Sequence, residues 1–220
     1  MYLNHPAIKM ETHILADNSS IFNEFVAEIR NVEVQVDSMR FRRNMERMGE
    51  IFAYEISKHL SYQTSTVQTP LAEAQVSTLK DQPVIATILR AGLALHQGIA
   101  NCFDRAGNGF VSAYRDGDSV KVEYLASPSL QDKVLVLSDP MLATGRSMEL
   151  SYKALLKNGT PKYTHIVSAI ASKKGVEHIN ENLPANTTLW IGALDDELTS
   201  KAYITPGLGD AGDLAYGDKM

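Results

Sequence analysis

The chain has 220 residues, a length that suits one α/β domain or a domain with a small appendage. Its 21 basic and 26 acidic residues give a formal net charge of −5, and 44% of the residues are hydrophobic. A mildly acidic chain disfavours nucleic-acid binding, which usually needs a basic face, but it leaves room for a local basic pocket for a phosphorylated ligand. We therefore expect a globular protein with no nucleic-acid partner.

The cysteine content and the N-terminus bear on the compartment. The single cysteine, Cys102, cannot form an internal disulfide, which favours a reducing, cytoplasmic location. The first 13 residues, MYLNHPAIKMETH, lack the apolar segment of a signal peptide. No run of residues approaches the roughly 18 apolar residues of a membrane span, so no membrane association is expected.

The first 60 residues predict two helices. Residues 1–37 are weakly patterned and are interpreted as an N-terminal extension, in which Ser19 or Ser20 would cap a short helix. The clearest helix is predicted over residues 40–60, where apolar side chains recur at spacings of three and four. The members of that stripe are Phe41, Met45, Met48, Phe52, Ile56 and Leu60. The intervening Arg42, Arg43 and Arg47 are interpreted as its solvated face.

From residue 84 onward, short apolar runs alternate with segments of helical spacing. Strands are predicted over residues 84–89, 109–115, 118–126, 133–139, 163–171 and 188–194, and helices over 90–103, 147–159 and 174–184. This alternation indicates βαβ units, so the predicted fold class is α/β, with a mostly parallel sheet flanked by helices on both faces. Residues 118–126 are predicted to be half of an exposed hairpin, and the Gly-rich tail shows no periodicity.

The segments that follow the strands are the candidate site, because ligands of parallel sheets bind beyond the carboxyl ends of the strands. The longest such segment, DPMLATGRS (residues 139–147), carries the parts of a phosphate site. Gly145 lets the backbone approach a ligand, and successive N–H groups before a helix attract anions. Thr144 and Ser147 add hydroxyl donors, and Asp139 suits sugar hydroxyls.

Two known phosphate motifs are excluded at this loop. Gly145 is followed by Arg146 and Ser147 rather than by Lys-Ser or Lys-Thr, so the loop is not a P-loop. The G-x-G-x-x-G spacing of dinucleotide sites is also missing. The residues alone leave two interpretations open: an anion site, or a structural strand–helix loop in which Ser147 is the helix N-cap.

Four motifs in order resemble the uracil phosphoribosyltransferases, a branch of the type I phosphoribosyltransferases. They are ILRAGL (residues 88–93), YRD (114–116), DPMLATG (139–145) and YITPGLGDAGD (203–213). The resemblance covers roughly residues 40–220. It implies a single phosphoribosyltransferase domain over residues 1–220, with an N-terminal helical segment, an exposed β-hairpin lid at 118–126 and a base-binding hood at 203–220.

The resemblance implies transfer of the 5-phosphoribosyl group from phosphoribosyl diphosphate (PRPP) to N1 of uracil, which gives UMP and pyrophosphate. It implies that PRPP contacts Arg90, Arg115, Asp139, Pro140, Met141, Leu142, Ala143, Thr144, Gly145, Arg146, Ser147 and Asp210. It implies that uracil contacts Ile204, Gly209, Asp210 and Ala211. Arg115 and Asp210 are the candidate catalytic residues, and no general base is nominated, because the transition state would be oxocarbenium-like and stabilised by positioning and charge.

The resemblance further implies a cofactor and partners. Mg²⁺ would be carried by PRPP rather than by direct protein ligands. A homodimer or higher homo-oligomer is expected, with GTP as a candidate effector. The six histidines are expected to have ordinary surface or core roles and to form no metal-like cluster. Three positions depart from the usual family pattern. Arg146 stands where a glycine is common, Leu214 stands where arginine or lysine is common, and the ending is Tyr216-Gly217-Asp218-Lys219 where Phe-Gly-Thr-Lys is usual.

Two other functions remain open. A phosphoribosyltransferase for a different base is disfavoured by the PGLGDAGD tail, which purine- and orotate-using relatives lack. A non-catalytic, nucleotide-sensing regulator is disfavoured by the acidic charge balance where it would bind RNA.

Overall fold

A computed structural model describes residues 10–116 and 119–219 of the chain. Its strands are β1 (Glu11–Ile14), β2 (Tyr62–Gln68), β3 (Glu73–Leu79), β4 (Val84–Leu89), β5 (Gly107–Asp116), β6 (Ser119–Ala126), β7 (Val134–Ser138), β8 (Met141–Leu142), β9 (Tyr163–Ser172), β10 (Thr187–Asp195), β11 (Glu197–Leu198) and β12 (Ile204–Thr205). Its α-helices are α1 (Ile21–Arg30), α2 (Ser38–Ser57), α3 (Leu93–Cys102), α4 (Arg146–Leu155), α5 (Lys173–Asn182) and α6 (Ala211–Tyr216).

The main sheet is mostly parallel, as the alternation of strands and helices predicted. Its order is β1-β10-β9-β7-β4-β5-β6, and β8 pairs with β9 beside this path. Neighbouring strands run parallel except β5 and β6, which form an antiparallel pair at one edge. The central strands β4, β7 and β9 are buried along almost their whole length, because helices cover both faces of the sheet.

The helices pack on the two faces in separate groups. Side chains of α1, α2, α3 and α6 join one buried apolar cluster, which includes Phe22, Phe52 and Leu95. Side chains of α4 and α5 join the cluster on the opposite face, which includes Tyr152 and Ile179. The predicted fold class, an α/β sheet with helices on both faces, is therefore confirmed.

The two N-terminal helices follow the sequence signals with small shifts. Ser20 is the N-cap of α1: its side chain accepts a hydrogen bond from the Phe22 N–H, within a reciprocal capping box with Asn23. Asp37 caps α2, so this helix starts two residues before the predicted position and ends at Ser57. The predicted apolar stripe of α2 is buried from Phe41 to Ile56.

Several short elements lie where the sequence pattern indicated no regular structure. Strand β1 extends the main sheet by pairing with β10, so part of the N-terminal extension belongs to the sheet. Strands β2 and β3 form a separate antiparallel pair whose side chains are mostly exposed. The Gly-rich tail contains the small helix α6. Cys102, which the sequence places in an apolar stretch, is exposed.

The predicted hairpin strand over residues 118–126 corresponds to β6, which pairs with β5. Asp118, its predicted first residue, lies outside the described residues. Closure of this hairpin over the site stays a prediction. Within the described ranges, none of the helices combines the length and the apolar character needed to cross a bilayer.

Candidate active site

A cavity of about 790 Å³ opens at the carboxyl ends of β4 and β7. These strands are neighbours in the sheet, but the chain leaves β4 toward β5 on one side and continues from β7 toward β9 on the other. The segments after the two strands diverge and leave a crevice, which is the usual ligand position in parallel sheets. The segment after β4 contributes Arg90 and Ala91, and the segment after β7 contributes Asp139 and residues 141–145.

The loop after β7 ends on a helix N-terminus that no side chain caps. The N-cap residue of α4 is Gly145, at φ 79°, and it makes no side-chain cap hydrogen bond. Ser147 lies inside the first helical turn, so the interpretation of Ser147 as the N-cap is wrong. Gly145, Ser147 and Met148 all line the cavity. The first N–H groups of α4 are therefore available to an anion, and the helix dipole favours one there.

Strand β9 and helix α5 hold this loop in shape. Met141 and Leu142 pair with β9, and the Ser172 hydroxyl donates to the Ala143 carbonyl at 2.6 Å. Gly175 lies so close under the loop that a Cβ there would stand 2.5 Å from the Leu142 carbonyl oxygen. The loop is thus held by the pairing with β9, by the Ser172 hydroxyl and by the close approach of Gly175.

Asp139 lies half-buried at the end of β7. Burial raises the pKa of Asp139 to about 7, and a hydrogen bond from the Met141 N–H acts in the opposite direction. The carboxyl group therefore changes its protonation state near neutral pH. A perturbed carboxyl in a cleft is typical of functional sites.

Arg90 joins the strand end to the C-terminal tail. Its guanidinium donates to the Asp213 carboxylate at 3.1 Å and to the Gly217 carbonyl at 3.3 Å. The side chains of Arg90 and Asp213 are both partly exposed, so another anion could replace Asp213 as the partner of Arg90.

The tail forms the opposite wall of the cavity. Gly209, Asp210, Ala211 and Gly212 line it, and Asp210 is the N-cap of α6. One Asp210 oxygen accepts hydrogen bonds from the Gly212 and Asp213 N–H groups, while the other lies 3.6 Å from the Lys219 ammonium. Gly209 adopts φ 95°, which glycine reaches without a steric penalty.

The comparison with known families decides the kinship of the chain. A family model described as uracil phosphoribosyltransferase matches residues 16–218. The chain belongs to the uracil phosphoribosyltransferase family. The resemblance inferred from the four motifs is thereby confirmed.

Relatives in this family match the chain over most of its length. A protein named uracil phosphoribosyltransferase from Porphyromonas gingivalis is 55% identical over 216 residues, which cover 96% of this chain and 100% of that protein. One of the same name from Pyrococcus furiosus is 34% identical, over 93% of this chain and 89% of that protein. A solved protein from Aquifex aeolicus, 28% identical, matches 94% of this chain and 98% of its own with a TM-score of 0.84.

The cavity brings together most of the residues that the family resemblance nominates. Those that line it are Arg90, Asp139, Met141, Leu142, Ala143, Thr144, Gly145, Ser147, Gly209, Asp210 and Ala211. Three others do not line it. Pro140 is buried and accepts the Ile170 N–H, Ile204 is buried in β12, and Arg146 is exposed on α4. The side chain of Arg115, at the end of β5, lies outside the described part of the structure.

Several other residues line the cavity although no motif nominated them as site residues, among them Ser112, Lys201, Tyr203 and Lys219. Tyr203 stands at the start of the tail motif, which was a signal that could have included it. Lys219 follows α6, in the ending where the family pattern also has a lysine. Lys201 and Lys219 add two cations to the cavity, beside Arg90.

The histidines form no metal site among the described residues, where no group of three or more metal-ligating side chains occurs. His13, His59 and His165 nevertheless gather around Trp190. The Trp190 Nε1–H donates to His165 Nδ1 at 3.1 Å, so this contact uses a neutral ring. Arg42, predicted to face solvent, donates to the Ala215 carbonyl at 2.6 Å and so holds α6.

Proposed function

We propose that the chain transfers the 5-phosphoribosyl group from PRPP to N1 of uracil, giving UMP and pyrophosphate. One observation carries the proposal: a single cavity combines the uncapped N-terminus of α4 with the Gly-rich tail. The first feature suits a phosphate and the second a small flat base. A relative that is 55% identical over 96% of this chain carries the name of this activity.

The loop after β7 would take the 5′-phosphate and the ribose. The backbone N–H groups at residues 145–147 and the hydroxyls of Thr144 and Ser147 would donate to the phosphate oxygens. The Asp139 carboxylate would accept hydrogen bonds from ribose hydroxyls. Pro140 and Arg146 would support the loop from outside the cavity, in keeping with their positions.

Arg90 and Arg115 would bind the pyrophosphate, since guanidinium groups pair with phosphate oxygens in bidentate fashion. For Arg90 this requires an exchange of partners. Its present partner Asp213 sits on α6, in the wall that would hold the base. A pyrophosphate that takes Arg90 would release Asp213 and thereby leave the tail free to adjust around the base.

The tail would recognise the edge of uracil through backbone groups. Gly209 and Ala211 line the cavity, and the Ile204 backbone precedes them in β12. Backbone N–H and C=O groups match the alternating acceptors and donors of the pyrimidine edge, and glycine permits their close approach. Asp210 lies between this segment and the ribose end of the cavity.

The chemical step breaks the bond between ribose C1 and the pyrophosphate oxygen and forms the bond from C1 to N1, which loses its proton. A transition state with positive charge on the ribose needs no protein nucleophile. Arg115 and Asp210 are the proposed catalytic residues: the arginine would stabilise the departing pyrophosphate and the carboxylate the positive ribose.

Mg²⁺ fits this chemistry as a companion of PRPP. Its hard oxygen ligands would come from the pyrophosphate and the ribose rather than directly from the protein. The carboxylates of Asp139 and Asp210 line the same cavity and would add negative charge near the ion. When bound, the ion would neutralise charge on the leaving group.

The remaining proposals concern closure, assembly and location. The β5–β6 pair would close over bound PRPP and exclude water, because hydrolysis would compete with transfer. A homodimer or larger homo-oligomer and activation by GTP are proposed from the family resemblance. The single cysteine favours the cytoplasm.

The test is a direct assay of the purified protein with Mg²⁺, PRPP and uracil, following both UMP and pyrophosphate. We expect both products in equal amounts. Turnover with hypoxanthine or orotate, but not with uracil, would show a phosphoribosyltransferase for another base. Binding of PRPP without UMP at millimolar PRPP would show a regulator instead of an enzyme.

A further inference from the structure

A buried ion pair behind the tail makes contacts that neither the motifs nor the cavity reveal. Arg30 is the last residue of α1, and Asp195 is the last residue of β10. Their guanidinium and carboxylate form two parallel hydrogen bonds of 2.8 and 2.7 Å. The side chain of Asp195 is only 6% exposed and that of Arg30 22%.

The same pair satisfies both backbone polar groups of Gly207. Arg30 donates to the Gly207 carbonyl at 2.9 Å, and the Gly207 N–H donates to the Asp195 carboxylate at 2.9 Å. Gly207 is buried at φ 59°, and a Cβ there would collide with the carbonyl oxygen of Ile204. The turn at Gly207 is therefore tight, and a single arginine–carboxylate pair fixes its orientation.

The position of this turn links the pair to the cavity. Gly207 precedes Gly209, Asp210 and Ala211, which line the cavity, by two to four residues. Neither Arg30 nor Asp195 lines that cavity. Any influence on a ligand must therefore pass through the backbone of the tail.

We propose that Arg30 and Asp195 are positioning residues for the base: by holding the turn at Gly207, they set the affinity of the site for uracil. The inference rests on the proposed function. A base read by backbone groups has no flexible side chain to compensate for a displaced wall, so a small shift of the tail directly lengthens its hydrogen bonds. The loop at residues 139–147 is held separately by β9 and α5, and of the residues proposed to bind PRPP only Asp210 lies in the tail, so PRPP binding should change less than uracil binding when the pair is altered.

A pair that served only to stabilise the fold would affect both substrates alike. The chain supplies the matching case in Arg40 and Glu28, which link α2 to α1 through two hydrogen bonds of 2.7 and 2.6 Å. This second bidentate pair makes no contact with the tail. The two pairs thus offer the same chemistry with and without the proposed positioning role.

The experiment compares Arg30→Lys with the control Arg40→Lys. Lysine keeps the charge but cannot reproduce two parallel bonds to the carboxylate while also reaching Gly207. For Arg30→Lys we expect the KM for uracil to rise at least about tenfold, as for loss of a charge-assisted hydrogen bond, with a several-fold smaller effect on kcat and on the KM for PRPP. For Arg40→Lys we expect all three constants to stay within about twofold.

Turnover by the wild-type protein distinguishes a failure of the proposed function from a failure of the positioning role. A wild-type protein that makes no UMP refutes the proposed function. A wild-type protein that makes UMP, together with an Arg30→Lys variant whose uracil KM is unchanged or rises only in step with its PRPP KM, overturns the positioning role. If Arg30→Lys does not fold by circular dichroism, Asp195→Asn decides by the same criteria. Its amide oxygen still accepts the Gly207 N–H, so the fold is kept, but its NH2 group cannot accept the second hydrogen bond from Arg30.

Discussion

The contact between Trp190 and His165 predicts a specific loss of stability in acid. His165 is 1% exposed, on β9, and Trp190 is 2% exposed, on β10. Burial lowers the pKa of His165 from 6.5 to about 4, and the nearby His59 and His13 add to this because a second positive charge among them is unfavourable. In the unfolded chain the ring would titrate near its ordinary value.

The sign follows from which state binds the proton. Between about pH 6.5 and 4, the unfolded chain carries a proton on His165 that the folded chain does not. The contribution of His165 to stability is therefore complete above pH 6.5 and is lost as the pH falls toward 4. A pKa gap of about 2.5 units, at about 1.4 kcal/mol per unit, gives a total loss of about 3 kcal/mol. About 2 kcal/mol of it is lost by pH 5.

The assay is urea unfolding at pH 7.5, 6, 5 and 4.5, at one protein concentration, followed by tryptophan fluorescence. Trp190 is the single tryptophan of the chain, so the signal comes from the contact itself. The perturbation is His165→Gln, which cannot be protonated in this range. The variant is expected to be less stable at every pH, but its free energy of unfolding should fall by about 2 kcal/mol less than that of the wild type between pH 7.5 and 5.

The difference between the two pH profiles carries the test, because other acidic and basic groups titrate in both proteins. Parallel profiles for the wild type and His165→Gln would refute the reasoning. They would mean that His165 is protonated in the folded state or that another group causes the acid loss.

Three further predictions concern the cavity. The pKa of Asp139 is raised to about 7, and its ionised form is the proposed acceptor for ribose hydroxyls, so PRPP affinity measured by calorimetry should rise about tenfold from pH 6 to 8. Asp139→Asn should remove most of that rise. A pH profile of PRPP affinity that this substitution leaves unchanged would contradict the role of Asp139. Gly145→Ala adds a Cβ 2.8 Å from the His178 ring at φ 79°, so the KM for PRPP should rise more than that for uracil. Gly159→Ala, at φ 113° with its Cβ 2.7 Å from the Gln131 nitrogen and outside the cavity, is the control and should leave both constants nearly unchanged. Arg146→Gly should lower activity only slightly, since Arg146 is exposed and outside the cavity, whereas a loss of several hundredfold would mean that it contacts phosphate directly.

The sequence predicted the main sheet well, because buried parallel strands are read from composition. Strand β4, VIATIL, is rich in β-branched and apolar residues, as expected of a strand covered on both faces. The helix pattern after each strand then fixed the alternation. The candidate phosphate loop at residues 139–147 could also be predicted from the sequence, since its glycine, hydroxyls and acid lie within nine consecutive residues.

The elements that the sequence did not predict lack a buried face or depend on distant partners. Strands β2 and β3 expose most of their side chains, so no apolar alternation marks them. Strand β1 has four residues and exists through its pairing with β10, about 175 residues away in the chain. No local window contains such information.

The tail shows the same limit at the functional site. Helix α6 has six residues, one of them glycine, and such a sequence has little helix propensity of its own. Three arginines from different elements hold the tail: Arg42 binds the Ala215 carbonyl, Arg90 binds Asp213, and Arg30 with Asp195 holds Gly207.

The three arginines lie 123 to 177 positions from their partners in the tail, so only the fold brings them together. A motif therefore identifies the residues that face a ligand, but not those that keep them in place. Of the three arginines, Arg90 lines the cavity, so ligand binding and tail attachment compete for it, whereas Arg30 and Arg42 do not line it. A pyrophosphate at Arg90 would thus loosen one end of the tail while the Gly207 turn stays fixed. Because Arg42 still holds the Ala215 carbonyl, the release would be confined to Asp213 and Gly217, and the proposed base contacts at Gly209 and Ala211 would stay between two held points.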